Sequence, residues 1–345
     1  MKRARRKSSV VSAALALIGL LLVLSAWGLT LGPADIGFSE AVHWVWQGLC
    51  ARLAEDNTRG AIVWELRLPR LLLAALVGAS LALAGVVMQG IFRNPMADPF
   101  LVGVSGGAAL GATAATFWGW SWALAGISAT GLFAFAGALG VSFAVYVLAY
   151  QAGRVPVLNL LLVGVALGAL CQGITALLLR LSPSTDVQRV FFWLMGSFAS
   201  ARWDPLGGLA VCLLAALVWL LWRARELDLL LLGEEEAAAL GLNVERTKGV
   251  LMAVAALLAA VAVSVSGIIG FVGLMVPHMV RLWAGPKHRR LMVLSVPAGA
   301  VLLVGSDLVA RSLLVSEVPV GIITTLLGVP FFLYLLRRKR GYHFS

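Results

Sequence analysis

Ten stretches of this chain are long, apolar and almost free of charge, and that pattern fixes the solvent the chain can fold in. They lie near residues 10–31, 62–91, 98–118, 122–150, 155–182, 204–223, 248–267, 270–285, 291–313 and 318–337, each bounded by proline, glycine or charge. One helical crossing of a bilayer needs about 20 apolar residues. With 345 residues, 61% apolar and only 12% charged, the chain has room for roughly ten crossings. A soluble domain carries about a quarter charged residues, whereas here the mean hydropathy is +0.95. The expectation is an all-α polytopic membrane protein of about ten transmembrane helices, a single domain over residues 1–345. The eighth run, FVGLMVPHMVRLWAG, is short and contains Pro277. It predicts a broken or partly re-entrant helix, which is tolerated only under a cover of protein or water.

The basic residues orient the chain. With the N-terminus inside, only 8 of the 27 Lys and Arg face outward: Arg52, Arg59, Arg67, Arg70, Arg180, Arg189, Arg202 and Arg311. The other 19 fall inside, the bias of the positive-inside rule, so both termini are expected in the cytoplasm. A net charge of +11 then faces anionic lipid heads beside helix ends and calls for no nucleic acid. The run from Val10 to Leu29 is longer than the ~7–15 residue core of a signal peptide, which predicts a retained first helix. Cys50, Cys171 and Cys212 have no spacing that suggests a disulfide framework or a metal site.

Little in the chain suggests chemistry of its own. None of the five lysines follows a glycine as a phosphate-cradling loop requires, the four histidines form no HExxH pair, and no GxSxG stands where a nucleophile elbow could be built. No acid sits near the middle of a run, where a proton-coupled carrier would keep one. A pump of this kind needs energy from elsewhere.

Polar residues gather instead at the ends of the runs. Arg67 and Arg70 are three apart and share a helix face, and Asp307 and Arg311 are four apart near the end of the ninth run. Two accounts fit them: snorkelling arginines with a local ion pair, or an outward basic patch that receives an acidic partner. On the opposite side the longest polar break, about residues 224–249, holds Glu234, Glu235 and Glu236 followed by Ala237 and two more alanines. Acids suit the first turn of a helix, alanines its body, and Gly241 its end. Gly107 with Gly111 and Gly164 with Gly168 form small-xxx-small faces that predict a dense bundle.

Several segments together resemble one family. RLPRLLLAALVGASLALAGVVMQGIFRNPMADPFLVGVSGGAALG, LLLVGVALG, FFWLMGSFASARW, LLGEEEAAALGL, GIIGFVGLMVPHMVRLWAGPKHR and SEVPVGIITTLLGVPFFLYLL occur in that order. They resemble the FecCD-type permease subunits of ABC importers for iron-siderophore, heme or vitamin B12, over nearly the whole chain from about residue 60.

The resemblance implies a homodimer in the bacterial inner membrane, with two ATP-binding subunits on the cytoplasmic side and a periplasmic or lipid-anchored substrate-binding protein outside. It needs no cofactor in this chain, since ATP and Mg²⁺ bind the partner ATPase, and no metal. It implies that Arg67, Arg70 and Arg311 dock the binding protein, and that Glu234, Glu235, Glu236, Ala237 and Gly241 belong to a coupling helix seated in the ATPase. Arg93, Asn94, Pro95, Asp98 and Pro99 would form the tight cytoplasmic turn between the second and third crossings, with Asp98 capping the next helix. The fifth span would line the path, its inner end Val157, Leu158 and Asn159 forming part of an apolar gate, with Arg180 near its outer end. The expected cargo is an iron chelate, siderophore or heme, with cobalamin as the alternative; a proton-coupled carrier is the alternative from another class. Phe191, Phe192 and Trp193 could stack on such a ligand or belong to an aromatic belt.

Overall fold

A computed structural model describes residues 2–51, 57–124, 126–314 and 317–338, with side chains from residue 10 to 337. Arg52, Lys339, Arg340 and Ser316, which entered the sequence reading, lie outside the described residues.

The chain is nearly all helical. It begins with α1 (Lys2–Thr30), α2 (Phe38–Leu49) and the single turn α3 (Thr58–Ala61), which runs through a wider turn at Ile62–Arg67 into α4 (Leu68–Ile91). A tight 3₁₀ turn, Pro99–Val102, leads to α5 (Val104–Phe117), and a small antiparallel hairpin, β1 (Ala123–Leu124) with β2 (Ile127–Ser128), leads to α6 (Ala129–Ala149). Next come α7 (Val157–Leu181), α8 (Ser184–Leu194), α9 (Asp204–Leu230) and α10 (Glu234–Ala239). The last four are α11 (Val244–Ser266), α12 (Val272–Ala284), α13 (His288–Ser312) and α14 (Val320–Arg338).

Among the described residues, eight helices are long and apolar enough to cross a membrane. The third and eighth apolar runs form the shorter helices α5, of 14 residues, and α12, of 13. At about 1.5 Å per residue each covers roughly 20 Å, short of a ~30 Å hydrocarbon core. The non-helical backbone next to α12 is under protein cover as the bilayer demands. Ser197 N–H donates to Ser266 O at 2.8 Å, and Gly267 packs on the Trp193 carbonyl.

α4 is the axis of the bundle, with 83% of its apolar window buried, and α9, α11, α12 and α13 pack around it. Its glycines permit the approach: a Cβ on Gly85 would collide with the Gly273 carbonyl of α12, four residues before Pro277. Proline has no N–H to return to that carbonyl, so the helix is locally open where α4 presses closest. The first small-residue face packs densely and the second in part, since a Cβ on Gly168 would meet nothing within 4 Å. Gly107 and Gly111 meet the α6 backbone at Gly137 and Phe133, and Gly164 meets Leu101.

Contacts sort the helix ends into two groups. The start of α4 meets the end of α13 through Arg70 and Asp307, and the turn after α1 through Arg67. The end of α9 meets the start of α13 through Asp228 and His288, and the start of α11 meets α10 and Val155, two residues before α7, through Lys248. Arg67, Arg70 and Arg311 therefore lie at one end, and Glu234 and Val157 at the other.

Candidate functional site

At the first end, Arg70 and Arg311 converge on one carboxylate. Arg70 Nε lies 3.1 Å from both oxygens of Asp307 and its Nη2 2.9 Å from Oδ1. Its Nη1 reaches Glu317 Oε2 at 2.8 Å. Arg311 Nε is 3.2 Å from Asp307 Oδ2. Asp307 is fully buried, while the Glu317 side chain is 49% exposed. Two acids thus match two guanidiniums, and the buried charges stand only because each is paired. Arg67 turns inward onto backbone, donating from Nη1 to Leu29 O at 2.6 Å and from Nη2 to Ala34 O at 2.7 Å. A local ion pair describes the contacts of Asp307; the three arginines share an end, Arg67 and Arg70 are engaged there, and Arg311, although ion-paired, keeps its buried Nε and Nη2 without a hydrogen-bond partner.

α7 joins this end to the other. Leu158, Leu162, Val165, Ala169, Gln172, Ala176 and Arg180 are all exposed, and their steps of three and four residues place them in one stripe along the helix. The opposite face packs inward through Leu160, Gly164, Cys171 and Thr175. Only 22% of the helix's apolar window is buried. Val157 and Asn159 flank the stripe at its N-terminal end, and Asn159 Nδ2 donates to Gln151 Oε1 at 3.2 Å. Gln172 was not singled out from the sequence, although a lone amide midway along an apolar run is the signal to look for.

At the end where α7 begins, α10 stands as a single short helix. Ala237 is fully buried and anchors it, and Gly241, at φ +86°, ends it in the left-handed conformation that glycine adopts without strain. Glu235 and Glu236 are exposed, flanked by Leu232 and Leu240, which are exposed too. Glu234 turns away from that surface, both its oxygens 3.1 Å from Lys248 Nζ.

The turn between α4 and α5 lies at the same end. Arg93 adopts φ +46°, Asn94 Oδ1 accepts from Met96 N–H at 3.0 Å, and Asp98 Oδ1 accepts from Phe100 N–H at 2.9 Å. Pro95 and Pro99 are buried, and Pro99 packs beside Gly273 of α12. Among the described residues no group of three His, Cys, Asp or Glu side chains could hold a metal ion.

The chain is similar to known proteins over most of its length. The cobalamin import system permease protein BtuC of Halobacterium salinarum is 49% identical over 286 residues, 82% of this chain and 75% of that protein. The hemin transport system permease protein HmuU of Yersinia pestis is 39% identical over 330 residues, 94% of this chain and 96% of that one. A solved structure, an inward-facing metal-chelate type ABC transporter, superposes with a TM-score of 0.80 at 33% identity, covering 94% of this chain and 98% of the other. The FecCD transport family matches residues 20–338, taking in both end sites and the whole of α7: the chain belongs to the FecCD transport family.

Proposed function

We propose that this chain is the membrane subunit of a binding-protein-dependent ABC importer, working as a homodimer in a bacterial inner membrane. The observation that carries this reading is the exposed stripe of α7, which runs unbroken from Leu158 to Arg180. Gln172 and Arg180 put polar groups on that face, which lipid alone solvates poorly, and a second copy related by a two-fold axis would set two such stripes around a common path. Leu158 and Val157 then form part of an inner gate that closes by excluding water. Gln172 and Arg180 offer the polar contacts further out.

Each end would serve one partner. Energy enters through α10, whose exposed Glu235, Glu236 and Leu240 form the face for a separate ATP-binding subunit; that subunit, not this chain, holds ATP and Mg²⁺. At the other end a carboxylate of the binding protein would take the place of half-exposed Glu317 on Arg70 Nη1. Docking by exchange explains how a cluster already balanced in charge can still receive an acid, with Arg311 and Arg67 holding the frame behind it.

The cargo we propose is a metal tetrapyrrole. Cobalamin and hemin, the cargoes in the names of the two relatives, are both large metal macrocycles of that class. In liposomes carrying the permease, its ATP-binding subunit and its binding protein, cyanocobalamin or hemin is expected to accumulate only with ATP, and vanadate is expected to stop it. Uptake of a ferric siderophore in preference to both would overturn the cargo. Uptake abolished by a protonophore and untouched by vanadate would overturn the importer and favour a proton-coupled carrier.

A further inference from the structure

Val155, two residues before α7, is held by a buried lysine. Lys248, in the second turn of α11, has a side chain only 3% exposed. Its Nζ lies 2.9 Å from Val155 O, 3.1 Å from both oxygens of Glu234 and 2.9 Å from Glu245 Oε1. The ammonium hydrogen-bonds to Val155 O and to Glu234, from two other parts of the chain, and pairs in charge with Glu245 of its own helix. Glu245 Oε2 accepts the N–H of Val155 at 2.8 Å, so both backbone groups of Val155 are fixed by α11. Pro156 and then α7 follow at once, while Glu234 is the first residue of α10.

We infer that Lys248 is the joint through which displacement of α10 reaches the inner end of α7, a positioning residue for the transport cycle. The inference rests on the transport reading above. A buried ammonium holds to its partners, so a shift of α10 that carries Glu234 away re-seats Lys248 between Glu245 and Val155. The cluster holds two acids and one base. Glu234 can therefore part from Lys248 while Glu245 keeps the charge matched, which gives the joint two arrangements of comparable standing instead of one rigid weld. Movement at α10 thus acts on Val155, and Val155 sets where Val157 and Leu158 stand.

The test uses the complete complex in liposomes, with cyanocobalamin and hemin as probes, and reads cargo moved per ATP hydrolysed. Lys248→Met is expected to keep ATP hydrolysis and to lower that ratio roughly tenfold, within the range that one energetic coupling between sites commonly carries. Lys248→Arg, which keeps the charge, is expected to recover most of it. A purely structural lysine would instead lower thermal stability and hydrolysis with the ratio unchanged, and a wild-type ratio in Lys248→Met overturns the inference. Should that variant fail to accumulate, Glu245→Gln decides: it keeps an oxygen for Val155 N–H and removes the charge, so a lowered ratio supports the joint and an unchanged one overturns it. No ATP-driven uptake of either probe by the wild-type complex would overturn the cargo and move the test to a ferric siderophore; no ATP-driven uptake of that either would overturn the transport reading itself, and the joint with it.

Discussion

Asp307 is the residue on which the outer cluster turns. Its fully buried carboxylate answers both Arg70 and Arg311, so Asp307→Asn leaves two guanidiniums short of charge, a change expected to cost about 3–5 kcal/mol. Glu317 sits at the half-exposed rim, where removing the charge is expected to cost only about 0–1 kcal/mol. Thermal unfolding of the two variants in detergent checks this, and equal losses would contradict it. If docking proceeds by exchange, Glu317→Gln removes the competitor on Arg70, so capture of the binding protein is expected to tighten, most visibly at low salt; weaker capture would sink the exchange. Part of this cluster was legible in the sequence, because Asp307 and Arg311 are four apart on a helix. That Arg70 reaches an acid 237 positions away is a tertiary fact without a local signature. The inward turn of Arg67 was hidden for another reason: its partners are the carbonyls of Leu29 and Ala34, and backbone acceptors leave no trace in residue type.

The crossing of α4 with α12 is where the elements depend most on one small residue. Gly85→Val would drive a side chain into the backbone at Gly273, an overpacking expected to cost about 1–3 kcal/mol or more. Gly140→Ala in α6, where a Cβ meets nothing within 4 Å, is expected instead to stabilise by up to about 1 kcal/mol through helix propensity. Matching thermal midpoints for the two variants would contradict the close approach. Among the elements, long apolar runs were readable because lipid forces each crossing to be oily for most of its length. The amphipathic helices α2 and α8 were not read: with 12 and 11 residues they are too short and too mixed to register as apolar runs, and only a search at a period of 3.6 residues would find them. The shortness of α12 was legible in the sequence, but Pro277 lies inside a continuous helix; the non-helical stretch falls before it, at residues 267–271, and the cover over it comes from the loop at Gly196 and Ser197, a pairing set by the fold alone.

At the scale of the molecule, the account rests on two ends with different tasks and a path between them. A gate that works by excluding water fails when it is wetted. Leu158→Asp is therefore expected to make liposomes carrying the complex leak cargo without ATP, and unchanged tightness would remove Leu158 from the gate. A division of ends was expected from charge, with most of the Lys and Arg on the inner side, and the contacts among helix ends place Arg67, Arg70 and Arg311 together at one end and Lys248 at the other. Whether those ends face opposite sides of a membrane is the central claim, and cysteine accessibility in intact cells tests it most directly. In a Cys50→Ser background, Leu313→Cys is expected to react with a membrane-impermeant maleimide in intact cells, and Glu235→Cys only after the cells are opened. Labelling of Glu235→Cys in intact cells would put the energy-receiving helix on the wrong side and contradict the account.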